Sequence, residues 1–158
     1  MGLLTPDHVF KDVLEIRPAW LAERGCRGLI VDLDNTIVPW RGERPGPETI
    51  QWFRDLNDAG IGVVLISNAG GPRADRMATI LGVKAVAPAK KPMGSGYRKA
   101  LVLLQIPAAE VSAVGDQIYT DVLGGNRAGV TTILVDPVTE REFLLTRLVR
   151  VFERRRRL

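Results

Sequence analysis

Four stretches of this chain carry side chains able to do chemistry: Asp32-Leu33-Asp34-Asn35-Thr36, Ser67-Asn68, Lys90-Lys91-Pro92, and Gly115-Asp116 through Thr120-Asp121. In the first, two carboxylates stand two residues apart, so an extended backbone turns both toward one face. Two anions about 4 Å apart repel by about 4 kcal/mol even at an effective dielectric of about 20, and a bound cation is the obvious compensation. A polar turn after a strand is the other reading of the same residues. Ser67 and Asn68 offer a hydroxyl and backbone N–H groups able to hold phosphate oxygens, or they are simply turn residues. Of the two lysines, Lys91 precedes a proline, which biases it toward extended backbone and makes it the fixed, inward-pointing member. Asp116 and Asp121 supply oxygen ligands of the kind Mg²⁺ takes. For Asp121 a second role stands open, that of an acid at a helix start favoured by the helix dipole.

These residues matter together only if the fold gathers them, and the pattern around them says that it should. Short apolar, β-branched runs over Gly28 to Leu33, Gly62 to Ile66, Lys84 to Ala87, Val111 to Val114 and Thr131 to Val135 predict five strands. Segments of helical period lie between them, at Pro47 to Ala59, Pro72 to Leu81, Gly96 to Leu104 and Tyr119 to Ala128. Alternation of this kind predicts an α/β fold, a parallel sheet covered by helices on both faces, with ligands bound past the carboxyl ends of the strands. Each reactive stretch falls just after such a run.

Length and composition narrow the field. The 158 residues suffice for one core of ordinary size, so a single domain spanning 1–158 is expected. No apolar run approaches a membrane span, and the first residues do not read as a secretion signal, so a cytoplasmic protein is expected. One cysteine, Cys26, and one histidine, His8, supply neither a disulfide nor a zinc site, which leaves hard, oxygen-bound metals. The net charge of +4 is local: residues 139–158 hold seven arginines and three glutamates, and the rest of the chain balances.

Taken with its flanks, the sequence resembles the haloacid dehalogenase superfamily, with DLDNT, Ser67, Lys91 and GDQIYTD as its four motifs. The stretches DLDNTIVPW, ISNAG, KKPMG and VGDQIYTDVLGGNRAG are similar to the capless phosphatases of the YqeG family, from about His8 to Arg147. The resemblance implies a three-layer Rossmann-like fold and a Mg²⁺-dependent phosphatase. It implies that Asp32 is the nucleophile forming an aspartyl-phosphate and that Asp34 is the proton shuttle, with a pKa raised by its anionic neighbours. Lys91 completes the catalytic set. Ser67, Asn68 and Thr36 are expected to bind the substrate, and Asp32, the backbone carbonyl of Asp34, Asp116 and Asp121 to hold the metal. The spacings between Thr36, Ser67 and Lys91 leave no room for a cap domain, so the site should be open to a large or surface-bound phosphomonoester. Trp40 and Arg41 stand where they could line its entrance, although a packed tryptophan is as good a reading.

The tail bears on the substrate. A helix over about 140–157 would put Leu144, Leu145, Leu148, Val149 and Phe152 on one stripe and Arg147, Arg150, Arg154 and Arg157 opposite. Such a basic amphipathic helix packs on the sheet with a solvated face, touches an anionic membrane surface, or does both. Val9, Phe10, Val13 and Leu14 suggest a second amphipathic helix or ordinary core packing. Relatives of the resembled family include phosphatidylglycerophosphate phosphatases, which makes that phospholipid the expected substrate. A phosphatase for soluble sugar phosphates or nucleotides is the alternative. A phosphate-sensing module contacting RNA fits less well, since no aromatics interleave with the arginines.

Overall fold

Six strands, all parallel, form one sheet in a computed structural model that describes residues 2–138. They are β1 (His8–Phe10), β2 (Gly28–Asp32), β3 (Gly62–Ile66), β4 (Lys84–Val86), β5 (Val111–Gly115) and β6 (Thr131–Val135). The spatial order is β1-β6-β5-β2-β3-β4. Strand order therefore reverses at β2, which pairs with β5 on one side and β3 on the other. A crevice opens at the carboxyl end of such a switch point.

The helices are α1 (Pro18–Glu23), α2 (Pro47–Asp58), α3 (Pro72–Leu81), α4 (Gly94–Leu104) and α5 (Leu123–Ala128). Proline stands at the first turn of α1, α2 and α3, where its missing N–H costs no intrahelical bond. Gly82 and Gly129 end α3 and α5 in left-handed conformation. On one face of the sheet, Trp52, Phe53 and Leu56 of α2 and Met77 and Leu81 of α3 pack with Leu29, Val31 and Leu65. On the other, Tyr97 and Ala100 of α4 pack with Ile30, Val64 and Ala113. The result is three layers, as expected.

Three features differ from the sequence reading. The sheet has six strands instead of about five, because Val9 and Phe10 belong to an edge strand paired with β6, not to a helix. Val13 and Leu14 fall in a single 3-10 turn, Val13–Glu15, whose start is capped by the Asp12 carboxylate. The segment expected as one helix from Tyr119 opens with a π-helical turn, Ile118–Val122, before α5. The expected basic helix over 140–157 lies outside the described residues. Among the described residues no helix is long and apolar enough to cross a membrane, and no inserted unit separates the strands.

Candidate active site

The β2 backbone delivers Asp32 to the carboxyl edge of the sheet, and the chain then turns sharply. Asn35 takes φ of 59°, a left-handed value that asparagine tolerates, and its N–H donates to the Val38 carbonyl at 2.7 Å. That turn folds Thr36 back over the strand end. Its hydroxyl lies 3.1 Å from Asp32 Oδ2 and 3.3 Å from Asp116 Oδ1, so one proton serves two carboxylates.

Lys91 approaches from the loop after β4. Its side chain is 4% exposed, and its ammonium donates to Asp32 Oδ1 and Asp121 Oδ1, both at 2.6 Å. Lys90 beside it has φ of 55° and is exposed. The loop is anchored by a pair of bonds: Lys91 N–H donates to Asn68 Oδ1 at 2.6 Å, and Asn68 Nδ2 donates back to the Lys91 carbonyl at 3.1 Å. Asn68 thus positions the lysine, a task that its type and place in the sequence did not announce.

Asp116 stands just past the end of β5, and Asp121 returns to it from the π-helical turn. Gly115 makes this possible, since a Cβ there would overlap the Asp121 carboxyl group. Asp121 Oδ2 accepts the Gln117 N–H at 3.1 Å while Oδ1 accepts from Lys91. One oxygen of Asp121 thus meets the start of the turn and the other meets the ammonium beside Asp32. Behind it, the Tyr97 hydroxyl donates to the Asp121 carbonyl at 3.2 Å, and burial pushes the phenol pKa up.

Asp32, Asp116 and Asp121 bring ligand atoms within 4.8 Å of one another, and all three are buried. One ammonium offsets three carboxylates, so when all are ionised the cluster retains a charge of −2. Burial raises the pKa of Asp32 to about 6, the Asp121 charge raises it too, and Lys91 and Thr36 hold it down. For Lys91 burial acts to lower the pKa, but the Asp121 and Asp32 charges outweigh it and the ammonium stays protonated well above the usual range. A hard divalent cation fits this set of oxygen donors and would restore neutrality.

Asp34 lies apart from that cluster, and its side chain meets a cation. Arg73, in the first turn of α3, sets Nη2 at 2.8 Å from Oδ1 and Nη1 at 3.2 Å from Oδ2. Its Nε donates to the Gly42 carbonyl at 3.0 Å, which fixes the guanidinium plane. The Arg41 N–H adds a bond to Asp34 Oδ1 at 3.2 Å. Sequence reasoning gave Asp34 anionic neighbours and missed Arg73. The signal was available, an arginine one residue into a proline-started helix after the Ser67 loop.

A pocket of about 100 Å³ opens over these groups, lined by Asp32, Asp34, Ser67, Asn68 and Lys91, with Trp40, Gln117 and Thr120 at its sides. A water takes up roughly 30 Å³ of liquid, so the space suits one phosphate group. Trp40 is 43% exposed and lines the opening instead of packing inside, whereas Arg41 reaches the site through its backbone. Ser67 Oγ accepts the Ala69 N–H at 3.2 Å, which leaves its own O–H to donate.

A profile of the haloacid dehalogenase-like hydrolase family matches residues 38–129. The chain is also 39% identical over 150 residues to the probable phosphatase YqeG of Bacillus subtilis (strain 168), across 95% of this chain and 87% of that one. The chain belongs to the haloacid dehalogenase-like hydrolases. Within that family it is a phosphatase, and the span shared with the Bacillus protein takes in all four reactive stretches. This haloacid dehalogenase-like hydrolase is 30% identical to phosphatidylglycerophosphate phosphatase 1, chloroplastic, of Chlamydomonas reinhardtii, over 87% of this chain but 55% of the algal protein. Among solved structures, the cobalt-bound deoxy-D-mannose-octulosonate 8-phosphate phosphatase YrbI of Haemophilus influenzae shares its fold, with a TM-score of 0.56 at 18% identity over 71% of this chain and 69% of that one. An uncharacterized protein of Corynebacterium glutamicum gives a TM-score of 0.52 at 25% identity, over 81% and 96% of the two chains.

Proposed function

We propose that this phosphatase is a Mg²⁺-dependent phosphomonoester hydrolase that works through an aspartyl-phosphate on Asp32, with phosphatidylglycerophosphate as its substrate. The observation that carries the chemistry is the meeting of Asp32, Asp116, Asp121 and Lys91 under a phosphate-sized pocket. The lipid substrate is supported by the name of the algal relative, of which the chain spans 55%.

Asp32 attacks phosphorus in line with the departing ester oxygen, so a carboxylate O–P bond forms as the ester O–P bond breaks. Asp34 gives its proton to that oxygen, and the alcohol leaves. A water then attacks the phosphorus of the acyl phosphate. Asp34 takes back the water's proton, inorganic phosphate departs, and Asp32 is restored as a carboxylate. Lys91 has three N–H groups, two of them committed to Asp32 and Asp121, and the third is left for a phosphoryl oxygen. Ser67 donates to another. Arg73 orients Asp34 by engaging both of its oxygens, so proton transfer requires one oxygen to slip its N–H partner. Mg²⁺, held by Asp32, Asp116, Asp121 and the Asp34 carbonyl, would supply the charge that neutralises the phosphoryl oxygens.

Asp32→Asn tests the nucleophile. Hydrolysis of a chromogenic aryl phosphate with Mg²⁺ should vanish while circular dichroism keeps the native spectrum, and wild-type turnover by this variant would falsify the assignment. The substrate is tested on vesicles carrying phosphatidylglycerophosphate. Phosphate release is expected there, and an enzyme that cleaves aryl phosphate yet leaves this lipid intact has another substrate.

A further inference from the structure

Beside the active site, on the far side of the loop that carries Lys91, a groove of about 820 Å³ runs between α4 and the unpaired edge of β4. Binding clefts for compact ligands run to about 300–1,000 Å³, so the groove is large enough for a chain-like molecule. Its floor is apolar, built from Ala85 to Pro88 of the strand edge and from Val102 and Leu103. Val102 is 74% exposed on the outer side of α4. The rim carries Lys90, Arg98 and Lys99, all exposed, and among the described residues no carboxylate lines the groove. Among the described residues the ion pairs engage Arg24, Arg27, Arg73, Arg76 and Lys91, so these three rim cations form none. Lys90 and Lys91 leave one loop in opposite directions, the first toward the groove and the second into the site.

An apolar floor with a purely cationic rim selects its occupant by charge. Residues 139–158 carry seven arginines against three glutamates and would meet the rim as a like charge. A second copy docked about a two-fold axis would set the same cations against themselves. An anionic amphiphile matches both parts. We infer that this groove docks an anionic phospholipid, an acyl chain along the Ala85–Pro88 edge and Val102, the headgroup phosphate against Lys90, Arg98 and Lys99. The inference deepens the lipid reading of the substrate and rests on it for its biological sense. The binding itself is measurable without turnover.

The test uses the full chain and flotation with phosphatidylcholine vesicles, with or without phosphatidylglycerol, at about 0.1 M salt. Val102→Asp removes the apolar contact, and Arg98→Glu with Lys99→Glu reverses the rim. Arg17→Glu with Arg54→Glu makes the same charge change on exposed residues carried by the opposite helical layer. Wild type should bind the phosphatidylglycerol vesicles, and both groove variants should need about tenfold more lipid for half-binding. The control pair should stay near wild type, and aryl phosphate turnover should be unchanged in all. Wild type that stays unbound, groove variants that bind normally, or a control pair that weakens equally would each overturn the docking site. So would a groove variant whose sedimentation shows a lost dimer while vesicle binding persists, since the occupant is then a second copy. Phosphatidylglycerophosphate hydrolysis is scored separately. An enzyme that binds phosphatidylglycerol through the groove but spares phosphatidylglycerophosphate keeps the groove and loses only the proposed substrate.

Discussion

Asp32 ionises near 6 in the folded, metal-free chain and at 3.8 when solvated, because burial and the nearby Asp121 charge both disfavour its anion. The folded chain therefore binds more protons than the unfolded one between those values, and this residue's contribution to stability falls as pH rises from about 4 to 6. Denaturant titrations of wild type and Asp32→Asn without divalent ions should show it. The variant should gain on wild type across that window, and added Mg²⁺ should narrow the gap. A gap independent of pH would mean that Asp32 feels no such field. Arg73 gives a second prediction at this scale. Arg73→Met should leave KM near its wild-type value and lower kcat about 10- to 100-fold, because Asp34 loses its fixed orientation while Ser67 and Lys91, the proposed phosphate contacts, stay in place. Steady-state kinetics on aryl phosphate would check it, and a rise in KM alone would assign Arg73 to binding. Asp32, Lys91 and Asp116 were legible in sequence because each follows a β-branched run. Arg73 was not, since its role depends on α3 tilting its first turn toward a loop 39 residues earlier in the chain.

At the scale of elements, the decisive join is between β5 and the turn after it. Gly115→Ala would force its methyl group onto the Asp121 carboxyl, so the π-helical turn must shift. Overpacking of this kind costs about 1–3 kcal/mol. Chemical denaturation should show that loss, with weaker Mg²⁺ binding by calorimetry, whereas unaltered Mg²⁺ affinity would free Asp121 from the metal. Trp52 on α2 makes the complementary point for the opposite layer. It is buried and its Nε1–H donates to the Ile16 carbonyl at 2.8 Å, tying α2 to the segment before α1. Trp52→Ala should cost about 3–5 kcal/mol. The strands β2 to β6 and the helices α2 to α4 could be read from period and caps. Two elements could not: β1 is defined by its pairing with β6 at the sheet edge, a contact far along the chain, and α1 has only six residues. The π-helical start likewise follows from the demand that Asp121 face Asp116, a tertiary condition invisible to local pattern.

For the molecule as a whole, cation binding and stability should be linked. Mg²⁺ bound at the proposed site, at about a hundred times its Kd, would stabilise the folded state by about 2.7 kcal/mol, which for a chain of this size would raise Tm by roughly 5 to 10 °C. Thermal melts with Mg²⁺ and with a chelator should differ by that amount in wild type, and Asp116→Asn should abolish the difference. The strand order carries one more consequence. β2, which holds Asp32, is shielded by two strands on its β3 side and by three on its β5 side, while β1 and β4 form the outer rows. Amide hydrogen exchange should accordingly be slowest along Gly28–Asp32 and fastest at His8–Phe10 and Lys84–Val86. Fraying at either margin then leaves Asp32, the proposed nucleophile, seated, and an outer strand can yield to a contact from outside without slackening the central strand that carries it.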